Sequence, residues 1–194
     1  GEALTVSGFV GETENGIPVE ADGKTYYVKG MSASATGTNV SDSTSVNATG
    51  TAQVVDEAGN DVTSEFKVTV NPGSLTINKR PVTLTSATLS KEYDGTALVN
   101  GETPLATEEG WVDGEGANYQ FTGSVTLPGA TAPNAYTYTA KEGTDFNNYS
   151  ISYNEGQLSI TSKEAKYEVQ VTVNSGNKVY DGEALTVSGF VGET

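Results

Sequence analysis

The sequence predicts an all-β protein, two tandem small antiparallel β domains, Ig-like sandwiches or β-grasp-like units, followed by part of a third. Three observations carry this. Apolar positions alternate with polar ones at period two in a chain rich in Thr, Ser, Val, Tyr and Gly, the pattern of half-buried strands in an antiparallel sheet, while helical periodicity is hard to find. Residues 182–194 repeat residues 1–13 letter for letter. A looser copy of the stretch that leads into this repeat recurs in mid-chain, where Ser90-Lys91-Glu92-Tyr93-Asp94-Gly95-Thr96-Ala97-Leu98 matches residues 177–185. The 194 residues therefore divide into repeats of roughly 80 to 95 residues, each large enough to bury a core. The expected boundaries are 1–79 for a first domain that lacks its opening strand, 80–163 for the second, and 164–194 for the opening segment of a third.

In the first domain, Tyr26 and Val28 follow the turn pair Asp22-Gly23, and Ala52, Val54 and Val55 supply a later segment. Residues 32–50 are almost free of large apolar side chains and read as an extended edge or a long loop. Phe66, Val68 and Val70 then face one way, with Lys67 and Thr69 facing the other. After the turn Asn71-Pro72-Gly73, Leu75 and Ile77 continue the apolar face, so the domain is expected to close with a hairpin. In the second domain the same order recurs as Tyr149, Ile151 and Tyr153, the turn Asn154-Glu155-Gly156, then Leu158 and Ile160. Earlier in that domain Tyr119 with Phe121, Val125 with Leu127, and Tyr136 with Tyr138 alternate between Gly-containing turns. The joins are short and polar, Asn78-Lys79-Arg80-Pro81 and Thr161-Ser162-Lys163-Glu164. Each leads into a new strand, carrying Val82 and Leu84 in one case and Tyr167, Val169, Val171 and Val173 in the other. Joins this short, one stiffened by Pro81, predict neighbours stacked as a rod.

A net charge of −15, with ten basic residues against twenty-five acidic ones, argues against nucleic acid as a partner. With neither Cys nor His, no disulfide framework or thiolate metal site is possible, and no cofactor is expected. No apolar run approaches a membrane span, and no signal peptide opens the chain at Gly1, so targeting signals are expected outside this stretch.

Tyr93-Asp94-Gly95 and Tyr180-Asp181-Gly182 form the sharpest local motif: Asp-Gly makes a tight turn and the aromatic packs beneath it, a structural role. Carboxylate pairs such as Glu108 with Glu109, or Asp113 with Glu115, suit acid-base work on a sugar, but in so acidic a chain they read as solvated loops. The run 56–61, Asp-Glu-Ala-Gly-Asn-Asp, has ligand types that suit calcium but fits no standard calcium spacing, and reads as a polar turn. Trp111, the only tryptophan, either stacks on a sugar ring or folds back on its own domain, the second being preferred. Lys67 reads as solvent-facing, so no isopeptide crosslink is expected there.

Several stretches together carry a resemblance. They are Lys79-Arg80-Pro81-Val82-Thr83-Leu84-Thr85-Ser86-Ala87, Lys91-Glu92-Tyr93-Asp94-Gly95-Thr96-Ala97-Leu98, Val112-Asp113-Gly114-Glu115-Gly116-Ala117, Asn148-Tyr149-Ser150-Ile151 and Gly156-Gln157-Leu158-Ser159-Ile160. In these the chain resembles the Tyr-Asp-Gly repeat modules, of YDG and MBG type, of large Gram-positive surface proteins. The resemblance implies extracellular, cell-wall-attached, adhesin-like arrays of small all-β modules, anchored through regions outside this sequence. It brings no catalytic or ligand residues.

The expected function is that of structural stalk repeats that present a distal binding domain, with neighbouring repeats as partners and no enzymatic activity. The alternative is a set of weak multivalent modules for host glycan or mucin. Because the first domain lacks its opening strand while residues 165–194 carry one without a body, head-to-tail strand exchange between copies is also expected.

Overall fold

The alternating segments become seventeen short strands and three single-turn 3₁₀ segments, with no α-helix among the residues that the computed structural model describes, 2–101 and 104–192. Gly1, Glu193 and Thr194, the outermost residues of the exact repeat, lie outside the described residues.

The first unit contains β1 (Leu4–Ser7), β2 (Ile17–Ala21), β3 (Lys24–Ser32), β4 (Ser34–Gly37), β5 (Thr44–Val46), β6 (Thr49–Val55) and β7 (Gly73–Leu75). They pair antiparallel as β1-β4, β2-β3-β6 and β5-β7. The two-residue turn between β2 and β3 needs left-handed backbone at both positions, and Asp22 (φ 49°) and Gly23 (φ 73°) supply it. Residues 32–50, expected as an edge or loop, hold β4, β5, the start of β6 and a 3₁₀ turn at Val40–Asp42. Small side chains hid them from a reading based on large apolar residues; their place is set by partners distant in sequence, β1 for β4 and β7 for β5.

The second unit contains β8 (Arg80–Thr85), β9 (Leu89–Glu92), β10 (Leu98–Val99), β11 (Thr107–Glu109), β12 (Ala117–Phe121), β13 (Ser124–Val125), β14 (Thr131–Pro133), β15 (Tyr136–Ala140), β16 (Tyr149–Asn154) and β17 (Gln157–Thr161). Its sheets are β10-β13, β11-β8-β16, β12-β15 and β14-β17-β9. Val82 and Leu84 of β8, Tyr136 of β15 and Tyr149 of β16 form one core, which Trp111, Tyr119 and Phe121 help to close. Val125, Leu158 and Ile160 form a second, against which Leu89, Tyr93 and Leu98 pack. The unit is thus sandwich-like in two storeys, and the chain crosses between them repeatedly, among other places from β8 to β9 and from β16 to β17.

Two expectations are corrected here. The all-β class holds, but the pairing is not wholly antiparallel: β16 runs parallel to β8, and β17 parallel to β9. Nor do β16 and β17 form a hairpin, since they belong to different sheets and Asn154-Glu155-Gly156 carries the chain from one storey to the other. In the first unit the corresponding residues 66–70 are not a strand at all. A strand needs a ladder partner, and no counterpart of β8 lies beside them among the described residues.

For the same reason Tyr167, Val169, Val171 and Val173, expected as a strand, form none. All four are exposed, and an isolated bridge between Val173 and Phe190 is the ladder contact of this segment.

Candidate functional site

Tyr93-Asp94-Gly95 is a self-contained turn. The Asp94 Oδ1 accepts from the Thr96 amide (2.9 Å) and hydroxyl (2.7 Å) and from the Lys91 ammonium (2.9 Å). Gly95 takes φ 85°, and the Tyr93 amide donates to the Thr161 carbonyl (3.0 Å) while its ring packs on the core of Val125, Leu158 and Ile160. The second copy repeats the chemistry: Asp181 accepts from Lys178 and from the Glu183 amide, and Gly182 takes φ 82°. There Tyr180 packs on no core among the described residues and is exposed.

The acidic run 56–61 uses its own oxygens. Both carboxylate oxygens of Asp56 accept from Asn60 (2.8 and 2.9 Å), and those of Asp61 accept from Thr63 and Gln53. Among the described residues no group of three or more Asp or Glu is arranged to hold a metal ion. Thermal unfolding in calcium and in chelator should therefore superimpose; a clear fall of the midpoint on chelation would contradict this account of the turn.

One carboxylate of each pair is likewise engaged by a neighbour: Glu108 accepts from the Tyr119 hydroxyl (2.7 Å) and Glu115 from the Tyr149 hydroxyl (2.6 Å). Trp111 folds back, half-buried, stacked on Phe146 (5.8 Å between centroids) and edge-on to Tyr149 (4.8 Å). Lys67 is exposed.

Hydrogen bonds from Lys91 and Thr96 hold the Asp94 carboxyl far below its ordinary 3.8, and Asp42, Asp56, Asp61 and Asp181 are lowered by similar bonds. A carboxylate whose folded value is depressed binds fewer protons folded than unfolded, so its contribution is present above 3.8 and lost as pH falls below it. Burial pushes the Tyr136 phenol up from 10.0 to about 12, so the folded state keeps a proton that the unfolded chain sheds above pH 10.0. Melting temperature should hold a plateau through neutrality, with an acid limb beginning near pH 4 and an alkaline limb near pH 10. A midpoint that drifts steadily between pH 5 and 9 would contradict it.

One feature escaped the sequence, and another bears on the opening strand expected to be lacking from the first domain. The first is a buried polar node where the β8–β9 and β16–β17 crossings of the second unit meet. The Ser86 hydroxyl donates to the Asn134 carbonyl (2.7 Å) and accepts from the Gly156 amide (2.9 Å), while the Asn134 side-chain amide donates to the Ala87 carbonyl (2.7 Å) and to Asn100. The other is an open apolar groove in the first unit, made of two cavities of about 550 and 560 Å³ that share Phe9, Val10 and Asn71 in their walls. Phe66, Val68 and Val70 form one side of it.

Fold and site together define an all-β protein whose first unit carries, among the described residues, an open apolar groove beside residues 66–70. Compared with family models, curated proteins and solved structures, the chain matches none.

Proposed function

We propose that these repeats are a load-bearing stalk of a cell-surface, adhesin-like protein, holding a distal binding domain away from a bacterial cell wall. The observation that carries this is the parallel pairing of the incoming and outgoing passes of the second unit. The chain enters at Arg80, beside Tyr149, and leaves at Thr161, beside Glu92. Tension applied at these points slides one pass along the other and loads six ladder positions of β8 with β16 and four of β9 with β17 together in shear. An antiparallel hairpin pulled at its open end would instead lose its bonds one by one.

The join between units is also clamped. The Asn148 side chain accepts from the Val40 amide (2.9 Å) and donates to the Asn39 side chain (2.9 Å), bringing the 3₁₀ turns Val40–Asp42 and Phe146–Asn148 together. Residues 2–192 should scatter X-rays as a rod with one fixed inter-unit angle, and Asn148→Ala should broaden that distribution with both units still folded. Single-molecule pulling through residues 80 and 161 should require more force than pulling across the antiparallel pair β12-β15. Equal forces would remove the mechanical argument.

A glycan-binding reading has one observation in its favour, the stacked pair Tyr138 and Tyr153 (6.1 Å, 27°), of which Tyr153 is exposed. The Tyr153 hydroxyl, however, is held by the Tyr136 carbonyl (2.9 Å) and by Glu155. A glycan array tests this reading directly.

A further inference from the structure

Packing explains why the rings of the second unit meet, but not what their hydroxyls touch. The chain has ten tyrosines, and five of them, Tyr119, Tyr136, Tyr138, Tyr149 and Tyr153, share one aromatic seam. Three of the five donate to a carboxylate: Tyr119 to Glu108 (2.7 Å), Tyr149 to Glu115 (2.6 Å) and Tyr153 to Glu155. No tyrosine outside the seam does so among the described residues. The three carboxylates come from β11, from the turn before β12 and from the crossing between β16 and β17, so no single local motif accounts for them.

The rings form a continuous path from Trp111, the only tryptophan. Trp111 lies edge-on to Tyr149 (4.8 Å between centroids) and stacks on Phe146 (5.8 Å), which meets Tyr138 (5.8 Å). Tyr138 stacks on Tyr153 (6.1 Å), and Tyr136 joins Tyr153 (4.6 Å) to Tyr119 (6.1 Å). The Trp111 indole N–H is buried with no acceptor among the described residues. Exposure rises from 4% at Tyr149 to 40% at Tyr153.

We propose that this seam is a hole relay: an electron vacancy made at Trp111 by a small one-electron oxidant passes through the ring contacts to the tyrosine–glutamate pairs and leaves the core at Tyr153. The oxidant takes one electron from the indole and is itself reduced. With no acceptor for its N–H proton, the Trp111 radical cation keeps that proton, so one returning electron restores the indole. A tyrosine supplies that electron and passes its hydroxyl proton to the glutamate bonded to it, leaving a neutral phenoxyl radical and a neutral carboxylic acid. Without such a base the oxidised phenol would be a buried, unpaired cation. Tyr136 and Tyr138 donate to no carboxylate among the described residues, so they carry the vacancy across and do not hold it.

Tyr153 is the exit for three reasons. Its single hydroxyl proton is shared between the Tyr136 carbonyl (2.9 Å) and Glu155, and the carboxylate is the stronger base. The Tyr136 amide (3.4 Å) still donates to the phenoxyl oxygen once that proton has gone. Solvent reaches the ring, so a thiol or enediol reductant returns the electron there and Glu155 returns the proton. Oxidant is thus consumed at the surface and the core tryptophan is left unmodified. The proposal goes beyond the stalk reading and does not depend on it.

Because Trp111 is the only tryptophan, its radical is a spectroscopic label for one site. Pulse radiolysis of the 194-residue chain with azide radical, which oxidises indoles in preference to phenols, should give a tryptophan radical that decays in first order, at a rate independent of protein concentration. Tyrosyl absorption should grow in at the same rate. Glu108→Gln, Glu115→Gln and Glu155→Gln together remove the three bases and should slow the transfer at least about tenfold. A second readout does not depend on that triple variant folding. After a limited dose without reductant, peptide mass spectrometry of the parent chain should find Tyr153 oxidised or cross-linked ahead of Tyr167 and Tyr180, although these are 63% and 93% exposed. Glu155→Gln alone, at an exposed position, should reverse that order. The proposal is overturned by a tryptophan radical that decays only through encounters between molecules, by a transfer rate indifferent to the three carboxamides, or by modification of the parent that simply follows exposure, Tyr180 first.

Discussion

Replacing Gly156 with alanine should unfold the second unit or lower its melting temperature by more than about 12 °C, while Gly73→Ala, at the matching place in the first unit, should change it little. An added Cβ at Gly156 falls 2.5 Å from the Ser86 oxygen and 2.5 Å from the Ala87 carbonyl carbon, and onto the Ala87 oxygen. All three are backbone atoms of the parallel pass, so no side chain can swing aside. The strands must part, and with them the bonds from the Gly156 amide to Ser86 (2.9 Å) and from the Ser86 amide to the Asn154 carbonyl (3.2 Å). Such overpacking costs roughly 3 kcal/mol or more. Calorimetry that resolves the two units would check it, and equal sensitivity at the two glycines would show that the crossing of passes does not crowd Gly156 as described.

The contrast between those glycines also shows where sequence reading stops. Alternation along Phe66, Val68 and Val70 and along Tyr149, Ile151 and Tyr153 says that one face of each segment is apolar; it does not say what lies alongside. A turn such as Asn154-Glu155-Gly156 reads as a hairpin because the same residue types serve a tight turn within one sheet and a step between two. The parallel partner of β16 lies some seventy residues earlier, a separation that no local pattern encodes. The Tyr-Asp-Gly turn was legible for the opposite reason. Asp181 binds Lys178 and the Glu183 amide with no core around it among the described residues, so the motif specifies its own geometry within a few residues. The groove was legible only by laying one repeat on another. The polar node was not legible, because Ser86, Asn100 and Asn134 look like ordinary loop residues until two distant passes bury them.

Substitutions at that node should produce the second large effect. Asn134 is 0% exposed, and its orientation is fixed by chemistry: the Ala87 carbonyl can only accept, so the amide nitrogen must face it. The same nitrogen donates to the Asn100 side chain, and the Asn134 main chain accepts from Ser86 and donates to the Gly156 carbonyl (2.9 Å). One residue thus ties together the β8–β9 and β16–β17 crossings and the start of β15. Asn134→Ala removes the donor, leaves the Ala87 carbonyl buried without it and opens a small void, at a cost of about 3 kcal/mol. Asn134→Asp keeps the shape but sets an acceptor oxygen against the Ala87 carbonyl and the Asn100 oxygen, and buries a charge with no cation beside it among the described contacts. The aspartate should therefore be the worse variant at pH 7 and should recover toward the alanine variant as the solution is acidified, because its folded-state pKa is raised and protonation restores a donor. That recovery needs measuring above pH 4, where the exposed turn aspartates still contribute. Urea unfolding of the three proteins at pH 7 and pH 5 distinguishes the outcomes. If aspartate equals the parent at pH 7, the nitrogen of Asn134 is not the donor that joins the two passes.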